Sequence, residues 1–453
     1  MRISRLLKNP LVTGTLLMTA AGVISRIIGF FYRIFLSRTI GAEFLGIYQL
    51  MSPVFAMCFA LTASSIQTSI SKFVGDATGK CKGSLCGEKK ARIYLYLGLF
   101  LSGSLALICG VVVHQNADWI AGTLLGEVRC APLLELLTYS LLPSCIHACI
   151  NGYYYGKKKA MIPSVCQIAE QLARVGSVWI IYQIVTDQGK ALTEWHAVAG
   201  LVIGECFGLL VCLTAYALEP RLHVQHYLDM KDSLAPMALS LGAMILPLTV
   251  NRVLVSASSS LENLLIPQKL QEFGYSSSDA LAVYGILSGM TMSIIMFPGV
   301  LTNSFSVLLL PSVSEAKAAN KDAIIRSTVQ KAVFYGMLLG LVFTAMFWFG
   351  GSWIGNHLFH NALAGLYIKR LSFLCPLMYI TSLLSSILNG LGMPKKVLAI
   401  NLLACLIRIS MIWFLVPQKG IGAYLWGILI SQVFAAIACM FELRFINSKK
   451  ESA

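Results

Sequence analysis

Long apolar stretches broken by short polar segments run through this chain from end to end. Twelve of them reach helix length, at approximately 11–36, 44–71, 93–114, 132–155, 160–185, 196–218, 235–259, 280–311, 329–350, 366–391, 396–416 and 421–444. A helix needs about 20 mainly apolar residues to cross a bilayer. The pattern therefore predicts an all-α polytopic membrane protein with about twelve transmembrane helices. The apolar run that follows Arg2, Arg5 and Lys8 outlasts the ~7–15-residue core of a signal peptide, so it reads as a retained first helix.

Composition agrees with this picture and removes others. The 453 residues are 57% hydrophobic and 12% charged, too few charges for the polar shell of a soluble globule. Disorder, a collagen-like repeat and a small disulfide scaffold are excluded on the same numbers. The net charge of +15 would suggest nucleic acid in a soluble protein. Here the basic residues cluster between apolar runs, as at Lys80, Lys82, Lys89 and Lys90, at Lys157, Lys158 and Lys159, and at Lys395 and Lys396. These segments fall on one side if the N-terminus is inside, while the other side holds scattered bases such as Arg129 and Lys190. The positive-inside bias then puts both termini in the cytoplasm, with the basic loops facing anionic lipid and no nucleic-acid partner. The 13 Cys are odd in number and lie mostly inside apolar runs, as small buried hydrophobes. Cys145, His147 and Cys149 look like a metal cluster on paper. Positions two apart on a helix do not face each other, so no metal site is expected.

Internal repetition suggests how the chain is divided. Asn151-Gly152 before Lys157-Lys158 matches Asn389-Gly390 before Lys395-Lys396, at an offset of 238. Ser25-Arg26-Ile27-Ile28 matches Asn251-Arg252-Val253-Leu254 at 226, and Thr62-Ala63-Ser64 more weakly matches Thr302-Asn303-Ser304 at 240. Two pseudo-symmetric six-helix lobes follow, an N-terminal lobe at 1–218 and a C-terminal lobe at 235–453, joined by a cytoplasmic linker at 219–234. Such parallel repeats are related by an axis along the membrane normal and place a transport site between the halves. No HExxH, GxSxG or P-loop is present, which argues against an enzyme.

Charges within the helices are the informative ones, since each costs about 2.5–3.5 kcal/mol at the bilayer centre. Arg26 lies roughly 22 Å along helix one and Arg252 roughly 25 Å along helix seven, at 1.5 Å per residue. Two guanidiniums at matching depth suit a phosphate or diphosphate, which Arg grips in bidentate fashion. Arg33, nearer the helix end, is expected to cap or snorkel. Ser64 and Gln67 in helix two, with Asn303 and Ser304 in helix eight, make polar stripes that suit a hydrated cavity wall. Glu170 and Arg174, spaced i, i+4, can neutralise each other. Together with Glu205 and Arg408, the repeat-equivalent of Glu170, they form a possible ion or charge network. Glu262 and Asn263 at the outer end of helix seven are expected to be solvated. Gly200, Gly204 and Gly208 read as close helix packing. Pro53 and Pro298 are expected to kink helices two and eight, and Pro236 and Pro247 helix seven.

Gly14-Thr15-Leu16-Leu17, then Ser25 to Arg33 (SRIIGFFYR), Ile40-Gly41-Ala42-Glu43 and Gly46-Ile47-Tyr48-Gln49 resemble the stage V sporulation protein B group of the MOP superfamily, cousins of the MurJ lipid II flippases. Leu246-Pro247-Leu248-Thr249, Leu265-Ile266-Pro267 and Leu308 to Ala316 (LLLPSVSEA) carry the resemblance through the chain. It implies a MATE-like fold with a cavity lined by helices one, two, seven and eight. It also implies alternating access that carries an undecaprenyl-diphosphate-linked glycan, a peptidoglycan precursor or polysaccharide unit, outward across the bacterial cytoplasmic membrane for cell-wall or spore-cortex synthesis. Arg26 matches the first-helix motif. The acidic position of MurJ-type proteins falls at Gly46, and their later helix-two Arg is absent, as is one in helix eight. These departures favour a sporulation or polysaccharide-type member. The expected partners are the lipid-linked substrate, membrane lipids and cell-wall synthases, for a monomeric transporter without cofactor, driven by Na+, H+ or membrane potential. The competing readings are a MATE-type multidrug cation antiporter and a non-transporting scaffold for cell-wall synthases. Helix one lacks the membrane acid that a cation antiporter would use, and a cationic cavity repels cationic drugs.

Overall fold

The computed structural model describes residues 10–80, 85–219, 234–299 and 322–451, with 302, 305, 306, 309, 313, 316 and 317. Each of the twelve predicted stretches contains helix, and no strand occurs among the described residues. We number them α1 (Pro10–Thr39), α2 (Gly41–Thr78), α3 (Leu85–Gln115), α4 (Ala131–Gly156), α5 (Met161–Asp187) and α6 (Glu194–Ala217). There follow α7 (Leu234–Phe273), α8 (Ser277–Met296), α9 (Asp322–Leu358), α10, α11 (Pro394–Lys419) and α12 (Ile421–Glu451). α10 is a pair, Ala362–Leu371 and Leu374–Gly390, bent by 53°. Ten spans are long and apolar enough to cross a membrane, and the bent pair makes an eleventh. α5 is 27 residues long but falls short in apolarity, because Glu170, Gln171, Arg174 and Gln183 dilute it. Pro298 falls at a break in the helix: α8 ends at Met296, Phe297 and Pro298 form a turn, and Gly299 is helical again.

Two compact units emerge, one of residues 1–32 and 50–260, the other of 33–49 and 261–453. Relative to the lobes expected from the repeat, two segments change sides, and the predicted linker lies mostly outside the described residues. The exchanges have local causes. Arg33 Nη1 donates to Ser293 Oγ (2.7 Å) and Arg38 Nε donates to the Leu358 carbonyl (2.7 Å), tying 33–49 to the second unit. Leu241 and Ile245 of α7 pack into the core of the first unit, beside Ile66, Ile70, Leu95 and Tyr153. Ser260 donates to the Pro53 carbonyl at 3.2 Å.

In the first unit α4 is the most buried span (61%), and in the second α8 is (72%). The small residues of α4 permit this. A side chain at Gly152 would meet the Gln67 carbonyl oxygen at 2.6 Å, and one at Gly156 the Ser71 carbonyl oxygen at 2.6 Å. Helices α2 and α4 are thus in backbone contact, the approach that small residues allow inside membranes.

Both second helices of the repeat contain π-helical turns, at Ala60–Ser64 in α2 and Gly285–Thr291 in α8. Their offset agrees with the 226 of the Arg26 and Arg252 match, and not with the 240 of the weaker triplet match. Such turns interrupt the i→i−4 ladder and concentrate at functional sites. Ser102 donates to the Thr62 carbonyl within the first of them (2.6 Å).

The tightest approach of a glycine to backbone joins residues 41–49 to α8. A Cβ on Gly46 would lie 2.1 Å from the Leu281 carbonyl oxygen, and one on Gly285 2.2 Å from that of Ala42, whereas Gly22 has open space. We expect Gly46→Ala and Gly285→Ala each to cost about 1–3 kcal/mol through overpacking. Gly22→Ala should be neutral or stabilising by up to about 1 kcal/mol from helix propensity. Melting temperatures of the three purified variants check the ordering.

Candidate functional site

Two polar constellations are built inside the helices, one in each unit. The first begins with the glycines of α6. The helix starts after Thr193, whose extended backbone N–H donates to His196 Nδ1 (3.1 Å). One face then carries Gly200, Gly204 and Gly208. A Cβ on Gly200 would overlap Val178, and one on Gly204 would sit 3.1 Å from the Glu170 carbonyl oxygen. Close packing is confirmed, and it has a chemical result: it presses Glu205 against the polar face of α5.

Glu205 is 5% exposed. Arg174 Nη2 donates to Glu170 Oε1 at 2.7 Å and to Glu205 Oε1 at 3.3 Å, so one guanidinium serves two carboxylates. The other Glu205 oxygen, Oε2, accepts from His147 Nε2 of α4 at 2.8 Å. Asn151, one turn along α4, places its Nδ2 3.5 Å from His147 Nδ1. Its Oδ1 accepts from the Cys212 thiol at 3.3 Å, and Cys212 and Cys166 are 3.1 Å apart at sulfur. The predicted Glu170–Arg174 pair is present, and Glu205 joins it. His147 and Asn151 were not read as part of the network. The available signal was their i, i+4 spacing, which puts two polar groups on one face of an otherwise apolar helix.

Cys145, His147 and Cys149 turn to different partners. Cys145 meets Thr62 Oγ1 (3.1 Å), and Cys149 meets the Gly98 carbonyl (3.7 Å). Atoms of His147, Glu170 and Glu205 do lie within 4.8 Å of one another, close enough to hold a metal ion. Arg174 already supplies a cation there.

Arg408 belongs to the second unit and does not join the Glu170 network expected from the repeat. Its Nε donates to Glu262 Oε1 (2.7 Å), which also accepts from the Tyr424 hydroxyl (2.7 Å). Glu262 is 7% exposed, so the expectation of a solvated carboxylate is corrected. A lone guanidinium on α11 requires a counter-charge, and the nearest turn of α7 supplies it.

The proposed substrate residues are partly brought together. Arg252 of α7 donates to the Ser64 hydroxyl and, at 2.7 Å, to Thr68 Oγ1 of α2. Arg26 is exposed on α1, and Ser64 and Gln67 are half-buried. All four belong to the first unit, so the two arginines do not come from different units as the repeat had implied. Thr68 was missed, although it lies one helical turn from Ser64. Asn303 and Ser304 lie outside the described residues.

Comparison with known proteins fits this arrangement. Residues 11–317 match the family described as Polysaccharide biosynthesis protein, and residues 272–414 match MatE. Stage V sporulation protein B of Bacillus subtilis (strain 168) is 24% identical over 416 residues, covering 92% of this chain and 79% of that protein. Lipid II flippase MurJ of the same organism is 22% identical over 350 residues, covering 72% and 62%. Among solved structures, an inward-facing multidrug resistance MATE family transporter of the MOP superfamily superposes with a TM-score of 0.74 at 16% identity, covering 95% of this chain and 96% of that one. Lipid II flippase MurJ in its inward closed conformation gives 0.67 at 12%, covering 95% and 87%. The fold is therefore that of MOP-superfamily transporters, membrane carriers and not enzymes. Within that class, the chain belongs to the polysaccharide biosynthesis protein family.

Removing one member of a buried ion pair strands the other, at about 3–5 kcal/mol. We expect Arg408→Leu to lower the melting temperature sharply and the Glu262→Leu/Arg408→Leu double variant to recover most of the loss. Thermal unfolding of the purified variants in one detergent checks both.

Proposed function

We propose that this chain is a flippase that moves a saccharide linked to undecaprenyl diphosphate outward across the bacterial cytoplasmic membrane by alternating access, for cell-wall or spore-cortex synthesis. The observation that carries the reading is the Arg252 guanidinium. It is held in orientation by the hydroxyls of Ser64 and Thr68 and only half-buried. A guanidinium has five N–H donors, so two neutral hydroxyls leave the fork able to take phosphoryl oxygens. Arg26, exposed on α1 of the same unit, supplies a second positive charge. The named activity of the MurJ relative, lipid II flipping, supports the same substrate class. The basic loops support a cytoplasmic placement of both termini. Cation antiport is disfavoured because α1 holds no Asp or Glu and its exposed charge is positive.

The test is flipping of a fluorescent undecaprenyl-diphosphate saccharide in proteoliposomes. Hydrogen bonds to a charged group contribute about 1.5–3 kcal/mol, so Arg252→Ala should lower transport efficiency at least about tenfold with insertion and melting temperature little changed. Arg26→Ala should also lower it, and Arg252→Lys, which keeps the charge and loses the fork, should fall between. Wild-type rates in both Ala variants overturn the site. Movement of cationic dyes without the lipid overturns the substrate class, and binding of cell-wall synthases without any lipid movement favours a scaffold.

A further inference from the structure

The two buried constellations differ in one respect that sets their chemistry. Around Glu262 the charges cancel: one carboxylate and one guanidinium, with the neutral Tyr424 hydroxyl donating to Glu262 and the neutral Ser431 hydroxyl accepting from Arg408. Around Glu205 they do not. Glu170 and Glu205 bring two negative charges and Arg174 one positive charge. His147 places Nε2 at Glu205 and Nδ1 at the Asn151 amide, and with a proton on Nε2 alone it is a neutral imidazole. In that state these four side chains carry one net negative charge within a membrane, where an unbalanced charge is costly. A protonated His147, or one protonated carboxyl, removes the imbalance.

We infer that the His147–Glu205–Arg174–Glu170 cluster of α4, α5 and α6 binds one exchangeable proton and is the site at which transport is coupled to H+. The inference rests on the reading of the chain as a transporter. The titratable and charged groups that face the cluster are His147 from α4, Cys166, Glu170 and Arg174 from α5, and Glu205 and Cys212 from α6. From α1, Gly29 meets the neutral Gln171 amide. Donor chemistry separates a proton from the other cations. A divalent ion would leave an excess of positive charge beside Arg174. Na+ needs several oxygen ligands, whereas Oε1 of both carboxylates is already engaged by Arg174, and the remaining neighbours are an imidazole, an amide nitrogen and thiols. A proton needs only one lone pair, and His147 Nδ1 or a carboxylate oxygen offers it. Protonation at Nδ1 converts that atom from acceptor to donor. The Asn151 amide must then turn its oxygen toward the ring, away from the Cys212 thiol. Proton binding on α4 is thereby transmitted to α6.

The repeat supports a specialised role. Asn389, the counterpart of Asn151, is exposed, and the counterpart of His147 is Ser385. The second unit thus lacks the imidazole and amide of the first.

The test has two readouts. Infrared difference spectra between pH 5 and pH 8, taken on the purified protein in lipid nanodiscs, should contain imidazole and carboxyl bands. These should disappear in both His147→Gln and Glu205→Gln, each of which keeps the approximate shape of the side chain. In proteoliposomes, an imposed pH gradient should accelerate flipping of the diphosphate lipid several-fold in the wild type and not in either variant. Unchanged difference bands in both variants overturn the proton site. Acceleration by a Na+ gradient with no response to pH overturns its coupling role. If the wild type moves no diphosphate lipid under any gradient, the proposed function fails. The infrared result still decides whether the cluster binds a proton.

Discussion

Arg174 holds together the polar interior of the first unit. One guanidinium on α5 is shared between a carboxylate of its own helix and one from α6, and both draw on it for counter-charge in a medium that offers little other solvation. The pairing also fixes geometry. Glu205 can reach Arg174 only if α6 lies almost against the α5 backbone, and the glycines at 200, 204 and 208 allow that distance. Once Glu205 is there, its second oxygen must find a donor, and His147 of α4 provides it. Packing and electrostatics are thus two aspects of a single requirement, and three helices are committed by it.

The same requirement is met differently in the second unit. The repeat places an acid at 170 and a base at 408, so corresponding positions carry opposite charge. Glu170 finds its counter-charge four residues along its own helix. Arg408 has no such neighbour on α11 and reaches Glu262 of α7, with Tyr424 of α12 completing the carboxylate's shell. One pair is local and the other joins distant parts of the sequence. This explains why the first could be read from spacing and the second could not.

Much of the fold was legible because lipid imposes length and polarity on every span. Each of the twelve stretches contains helix, and α5, which falls short of a span's apolarity, contributes Glu170 and Arg174 to the buried cluster. The glycine run gave correct packing. What remained hidden were contacts that depend on how helices rotate against one another. The sequence does not say that Asn151 faces inward while its counterpart Asn389 faces outward, because the helix ends look alike and only their neighbours differ. Nor does it say that the outer end of α7 is covered, which makes Glu262 look solvated from the sequence although it is buried. The grouping of 33–49 with the second unit was hidden for a related reason. Arg33 and Arg38 look like interface anchors, and their partners, Ser293 and the C-terminal carbonyls of α9, are hundreds of residues away.

The π-helical turns bear on how such a scaffold could change shape. Each widens a helix locally and frees a carbonyl from the regular ladder. In α2 the freed group at Thr62 is taken by Ser102 of α3, while the Thr62 hydroxyl is met by Cys145 of α4. The turn is therefore held by neighbours on two helices, and its last residue, Ser64, is one of the two that hold Arg252. An anion that drew Arg252 away would release Ser64 at the end of a turn whose backbone bonding is already irregular. That gives ligand binding a direct mechanical connection to the shape of α2. α2 in turn is in backbone contact with α4 at Gly152, next to Asn151. The path from the guanidinium to the buried carboxylates therefore runs through contiguous packed groups, one kind of route along which two sites can be coupled.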